Sequence, residues 1–101
     1  MTLNALKTLC TNSITTGATT SVNDPEYNQT SGAGAKTVEV ISASGSPTFS
    51  VQPQISIDGT RWYDFSAPIT AVGLNTVTPF APFLRCNITA ISGGGVSVYV
   101  R

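Results

Sequence analysis

A chain of 101 residues with net charge zero has room for one core and not for two. Hydrophobic residues make up 41% and charged residues only 10%, against about 25% charged in ordinary soluble domains. Five scattered cations (Lys7, Lys36, Arg61, Arg85 and Arg101) form no basic patch, which argues against nucleic acid as a partner. Ser and Thr fill the gap left by charge at roughly a quarter of the chain, a composition that suits strands and exposed arms better than helices. The stretch Met1 to Lys7 lacks a basic start followed by an apolar run, so no secretion signal is expected. No stretch reaches the ~20 apolar residues of a membrane-spanning helix. Cys10 and Cys86 are therefore read as free thiols of a chain made in a reducing cytoplasm, where a buried thiol acts as a small hydrophobe.

In chain order, Leu3, Leu6 and Leu9 come first, spaced for one side of a short helix or for an irregular arm. The Thr-rich run from Thr11 to Thr20 suits an exposed strand, so residues 1–21 are read as an N-terminal arm with the first strand. Residues 22–35 carry Asp24-Pro25, Asn28, Gly32 and Gly34 and read as a long polar loop. The main body spans 36–101. It opens with a strand in which Val38 and Val40 share a face, ended by Gly45-Ser46-Pro47. From Phe49 to Asp58 the alternation is nearly complete, with Phe49, Val51, Pro53, Ile55 and Ile57 on one side. Pro53 donates no ladder hydrogen bond, which predicts an edge strand or a bulge there. Asp58-Gly59 predicts a tight hairpin turn, with Arg61 to Phe65 returning as the partner strand. A strand from Gly73 follows. Leu84, Cys86, Ile88 and Ala90 then alternate, and Gly93-Gly94-Gly95 predicts a turn into Val96, Val98 and Val100 as a closing hairpin. Short strands with no intervening helix predict an all-β fold, an antiparallel β-sandwich of jelly-roll type with an extended N-terminal arm. Ile55, Ile57, Leu84, Ile88 and Val98 are the expected core.

The order of SITTGATT, Lys36-Thr37-Val38-Glu39-Val40, Ile57-Asp58-Gly59-Thr60-Arg61-Trp62-Tyr63, Gly73-Leu74, Phe83 to Ala90 and the terminal Gly-rich segment resembles small bacteriophage virion proteins over nearly the whole chain. The resemblance implies a capsid decoration or cement protein, or a related tail or fibre module, with a sandwich fold and no enzymatic activity. It places the protein on the capsid surface of a virion, with the major capsid protein as partner and a homo-oligomer as its own state, without membrane or nucleic acid.

Catalytic constellations fit these residues poorly. Without histidine, a Ser-His-Asp or Cys-His arrangement and an imidazole-bound zinc are excluded. Asp58 is explained by its turn, and Glu39 and Asp64 by solvent-facing strand positions. The glycine clusters do not open a helix after a strand, as a phosphate loop requires. No catalytic residue, metal or cofactor is expected. The candidate partner-binding residues are the arm leucines Leu3, Leu6 and Leu9, the Arg61-Trp62-Tyr63 segment, and Phe80 and Phe83, since aromatic side chains and arginine dominate binding hot spots. Trp62 falls on one face of its strand and Tyr63 and Phe65 on the other, so one set fills the core while the other either lies under a loop or anchors a partner, the first being the commoner use of aromatic side chains. The arm leucines are expected to cover a neighbouring subunit. The alternative role is a receptor-binding module that recognises host glycan or surface protein.

Overall fold

The computed structural model describes residues 6–23 and 35–101, so Leu3 and most of the long polar loop lie outside the described residues. Among the described residues every regular element is a strand: β1 Lys7–Ser13, β2 Gly17–Ala18, β3 Val22–Asn23, β4 Lys36–Ser56, β5 Tyr63–Asp64, β6 Gly73–Val77 and β7 Phe83–Val100. All pairings are antiparallel and join one sheet in the order β1-β7-β4-β5, with β2 and β3 on β7 and β6 on β4.

The fold is built on one long ribbon. β4 and β7 stay paired from Val38↔Val100 through to Ser56↔Phe83. Straight, the 21 residues of β4 would reach roughly 70 Å at the usual rise per strand residue. The longest molecular dimension is 40 Å, so the ribbon folds over on itself. Three register shifts, between Ser42 and Ser44, Gly45 and Thr48, and Ser50 and Val51, mark where it does so. One half, flanked by β1 and β6, supplies Val38, Val40, Val96, Val98 and Val100 to the core. The other, flanked by β2, β3 and β5, supplies Phe49, Val51, Ile55, Leu84, Cys86 and Ile88, and all belong to one buried cluster. Consecutive amides hold the halves together at one side, Thr19 N donating to Cys86 O (2.8 Å) and Thr20 N to Leu9 O (3.2 Å). This all-β antiparallel architecture is the expected class, and a sheet doubled over one core is compatible with a β-sandwich.

Several expectations need correction. Gly93-Gly94-Gly95 makes no hairpin turn: β7 runs through it, and Leu84 and Val98 pair with Ile55 and Val40 rather than with each other's strand. Gly45 likewise ends nothing, because β4 continues past it. These glycines instead let two backbones pass closely. A Cβ on Gly94 would collide with Ser44 O, and one on Gly45 would lie 2.5 Å from Gly93 O.

Pro53 sits in a central strand without a bulge, opposite Cys86. Cys86 gives both its amide and its carbonyl to Thr19, so it has no ladder bond to offer β4. The nitrogen of Pro53 faces the other flank, at the gap between β5 and the isolated bridge Val51↔Ile69, where no donor is required. Ile57 is 70% exposed and outside the core, because the strand stops at Ser56. Leu9 is not on a free arm: β1 pairs with β7, and Leu9 is 2% exposed within the chain's own core.

Candidate protein-docking surface

The surface is organised by the segment that follows β4. The expected two-residue turn is in fact the six-residue loop Ile57–Trp62, since β5 begins at Tyr63 opposite Ile55. Side chains dictate this length. The buried Ser56 Oγ accepts the amides of Asp58 (3.2 Å) and Gly59 (2.8 Å) and donates to Asp58 Oδ1 (3.0 Å). Asp58 Oδ1 in turn accepts the amides of Thr60 (2.9 Å) and Arg61 (3.0 Å), and Oδ2 receives the Arg61 guanidinium at 2.9 Å and 3.0 Å. The Arg61 and Thr60 backbone amides, aided by Ser56 and the Arg61 side chain, hold the Asp58 carboxyl well below the usual carboxylate range. An Asp side chain that satisfies its own loop this fully replaces the tight turn that the Asp-Gly pair suggests. Gly59, at φ 78°, lies against the ring of Phe83.

Beyond the loop the two aromatic sets separate. Trp62 is half-buried under Arg85, whose guanidinium carbon lies 4.3 Å from the ring centroid. Arg85 Nε donates to Gln54 Oε1 and Gln54 Nε2 to Asp64 Oδ1, both at 2.9 Å, so one polar row crosses the outer face from β7 to β5. On the opposite side Phe65 packs against the core and meets Phe80 edge-on, with centroids 6.3 Å apart and planes at 87°. Around that pair Ile57 (70% exposed), Tyr63 (64%) and Phe80 (80%) stand open to solvent. They frame an almost wholly apolar notch of about 210 Å³, floored by Ile55 and Ala81.

Of the residues singled out in the sequence, Tyr63 and Phe80 come together here. Arg61 is spent on Asp58, Trp62 on Arg85, and Phe83 is half-buried beside Gly59. Leu6 is 59% exposed but lies elsewhere, in a shallow depression with Leu74, Tyr99 and Arg101. Leu9 serves the core, and Leu3 is outside the described residues. Ile57 was not among the candidates because alternation assigned it to the core. The signal that places it outside is Ser56, whose hydroxyl ends the strand one step earlier. Among the described residues no group of three or more Cys, Asp or Glu is placed to hold a metal ion.

Comparisons with family models, with curated proteins and with solved structures found no match for this chain.

Proposed function

We propose that this protein is a structural component of a bacteriophage particle, a capsid decoration protein that binds and stabilises the assembled shell and acts through surface contact rather than catalysis. The observation that carries the protein-binding part of this reading is the notch of Ile57, Tyr63 and Phe80. Three large apolar side chains gathered at one end of the sheet are costly to leave in water, and contiguous patches of this kind mark interaction sites. The assignment to a phage particle rests on the resemblance in strand order and in the Ile57-to-Tyr63 hairpin. A neutral surface with few charges also favours association, which suits a subunit of an assembly. The major capsid protein is the partner in this reading, and the protein itself forms a homo-oligomer on the shell.

Copy number on purified particles tests it. Decoration predicts many copies on intact heads, and loss of head binding in a Phe80→Ser variant that remains folded. Recovery with tails at a few copies would reject decoration and favour a second reading, a tail or fibre receptor-binding module. The ordered row Trp62, Arg85, Gln54 and Asp64 is what favours that alternative, since an aromatic ring among fixed polar groups suits a glycan.

A further inference from the structure

The notch lies at the last strand of the sheet. β5 gives one flank to β4, through Gln54↔Asp64 and Ile55↔Tyr63, and no described strand pairs with its other flank. Val51 bonds Ile69 on the same flank of β4, so Ile55, in the same phase of the strand, turns its amide and carbonyl to Tyr63, and the backbone groups of Asp64 point outward, placed to accept an added strand beside an apolar recess.

Area argues against a second copy as the occupant. Ile57, Tyr63 and Phe80 offer on the order of 400 Å² together, given the size of such side chains. Two copies meeting through this patch would bury ~800 Å², short of the ~1,200 Å² of a stable dimer, whereas an area of that size suits a short extended segment held weakly. Charge points to what the occupant carries. Asp58 is neutralised by Arg61, whereas Asp64, six residues beyond Asp58, makes no ion pair among the described residues and accepts one amide bond from Gln54. Adjacent strand positions point to opposite faces, so Tyr63 looks toward the notch while Asp64 joins the outer polar row. A strand laid against β5 meets an apolar wall at one position and a carboxylate at the next.

We infer that the notch and the β5 edge together bind an extended segment of a different protein that carries a large apolar side chain next to a lysine or arginine. The apolar side chain seats among Ile57, Tyr63 and Phe80, the neighbouring cation faces Asp64, and backbone pairing with β5 fixes the register. This inference deepens the protein-docking reading of the same notch and rests on it, but it does not depend on the partner being a capsid.

The test uses the full chain and three blocked peptides, TSKFTST, TSEFTST and TSKATST, followed by NMR of backbone amides. The Lys-Phe peptide is expected to shift Tyr63, Asp64 and the residues around Phe80 in a saturable way. The Glu-Phe peptide should bind roughly two- to fivefold more weakly, the range of an exposed ion pair, and the Lys-Ala peptide should not bind. Asp64→Asn should equalise the first two peptides while retaining binding, and Phe80→Ser should abolish it. Equal binding of the Lys and Glu peptides to the unmodified protein, shifts away from the notch, or no binding at millimolar peptide would each overturn the inference. Self-association at the same protein concentration, lost in Phe80→Ser, would assign the notch to a second copy instead. Peptide binding without head binding would leave the inference standing and reject capsid decoration. Head binding that Phe80→Ser abolishes, with no binding of any of the peptides, would do the reverse.

Discussion

An alanine at Gly94 has nowhere to put its Cβ, because Ser44 O of the facing strand already occupies the position. Gly17 also has a positive φ, 139° against 158°, but its Cβ would meet nothing within 4 Å. Gly94→Ala is therefore expected to cost at least ~1 kcal/mol more than Gly17→Ala in chemical denaturation, the excess being the collision itself. Equal costs would show that the two backbones do not pass closely there. Ile88 and Ile57 make a second contrast, at 2% and 70% exposed. Ile88→Ala should cost about 2 to 5 kcal/mol and Ile57→Ala less than ~0.5 kcal/mol. Cys86 offers a chemical probe. Burial, with Cys10 nearby, pushes its thiol from 9.0 up to about 12, so the folded protein favours the protonated form. That contribution is complete below pH 9 and is lost as pH rises toward 12, so stability should fall across that window in a way that Cys86→Ala removes. At pH 8 iodoacetamide should leave Cys86 unmodified in the folded protein and modify it after unfolding.

At the scale of elements, the long ribbon makes the N-terminal strand an integral part of the body. β1 closes the outer edge of β7, and its Leu9 sits in the core beside residues of both halves. Asn12, in a left-handed conformation at φ 47°, receives Ser44 Oγ on its side-chain oxygen and gives its amide to Ser97 Oγ, tying β1 to the region where the ribbon folds. Deleting residues 2–9 is therefore expected to lower the melting temperature markedly or prevent folding, as read by circular dichroism. A truncated chain with an unchanged melting temperature would return Leu9 to the role of a free arm. The strand alternations that build these elements were legible in the sequence: Val38 and Val40, Phe49 to Ile55, Leu84 to Ile88, and Val96 to Val100 are all inward positions. Their partners were not. Val38 meets Val100, a pairing across most of the chain, and local alternation carries no information about distant partners. Glycine-rich stretches read as turns because turns and close backbone passages ask for the same residue. The docking notch was half legible, since aromatic composition pointed to Tyr63 and Phe80. Ile57 was hidden by a strand pattern that Ser56 and Asp58 interrupt.

For the whole molecule, the doubled sheet presents the apolar notch of Ile57, Tyr63 and Phe80 beside its last strand. The Ser56-Asp58-Arg61 network fixes the loop beside that notch, and the Phe65–Phe80 contact ties the exposed Phe80 to the core, so the surface is ordered before a partner arrives. Preordering lowers the conformational entropy lost on binding, and under the proposed decoration role many weak, preordered contacts on a repeating shell would add through multivalency. A ligand that binds only the assembled shell shifts the equilibrium toward assembly. The most direct measurement is therefore the opening temperature of phage shells heated bare, with this protein, and with its Phe80→Ser variant. Decoration through the notch predicts a higher opening temperature with the protein and a return to the bare value with the variant. Identical opening temperatures for bare and protein-treated shells would contradict it.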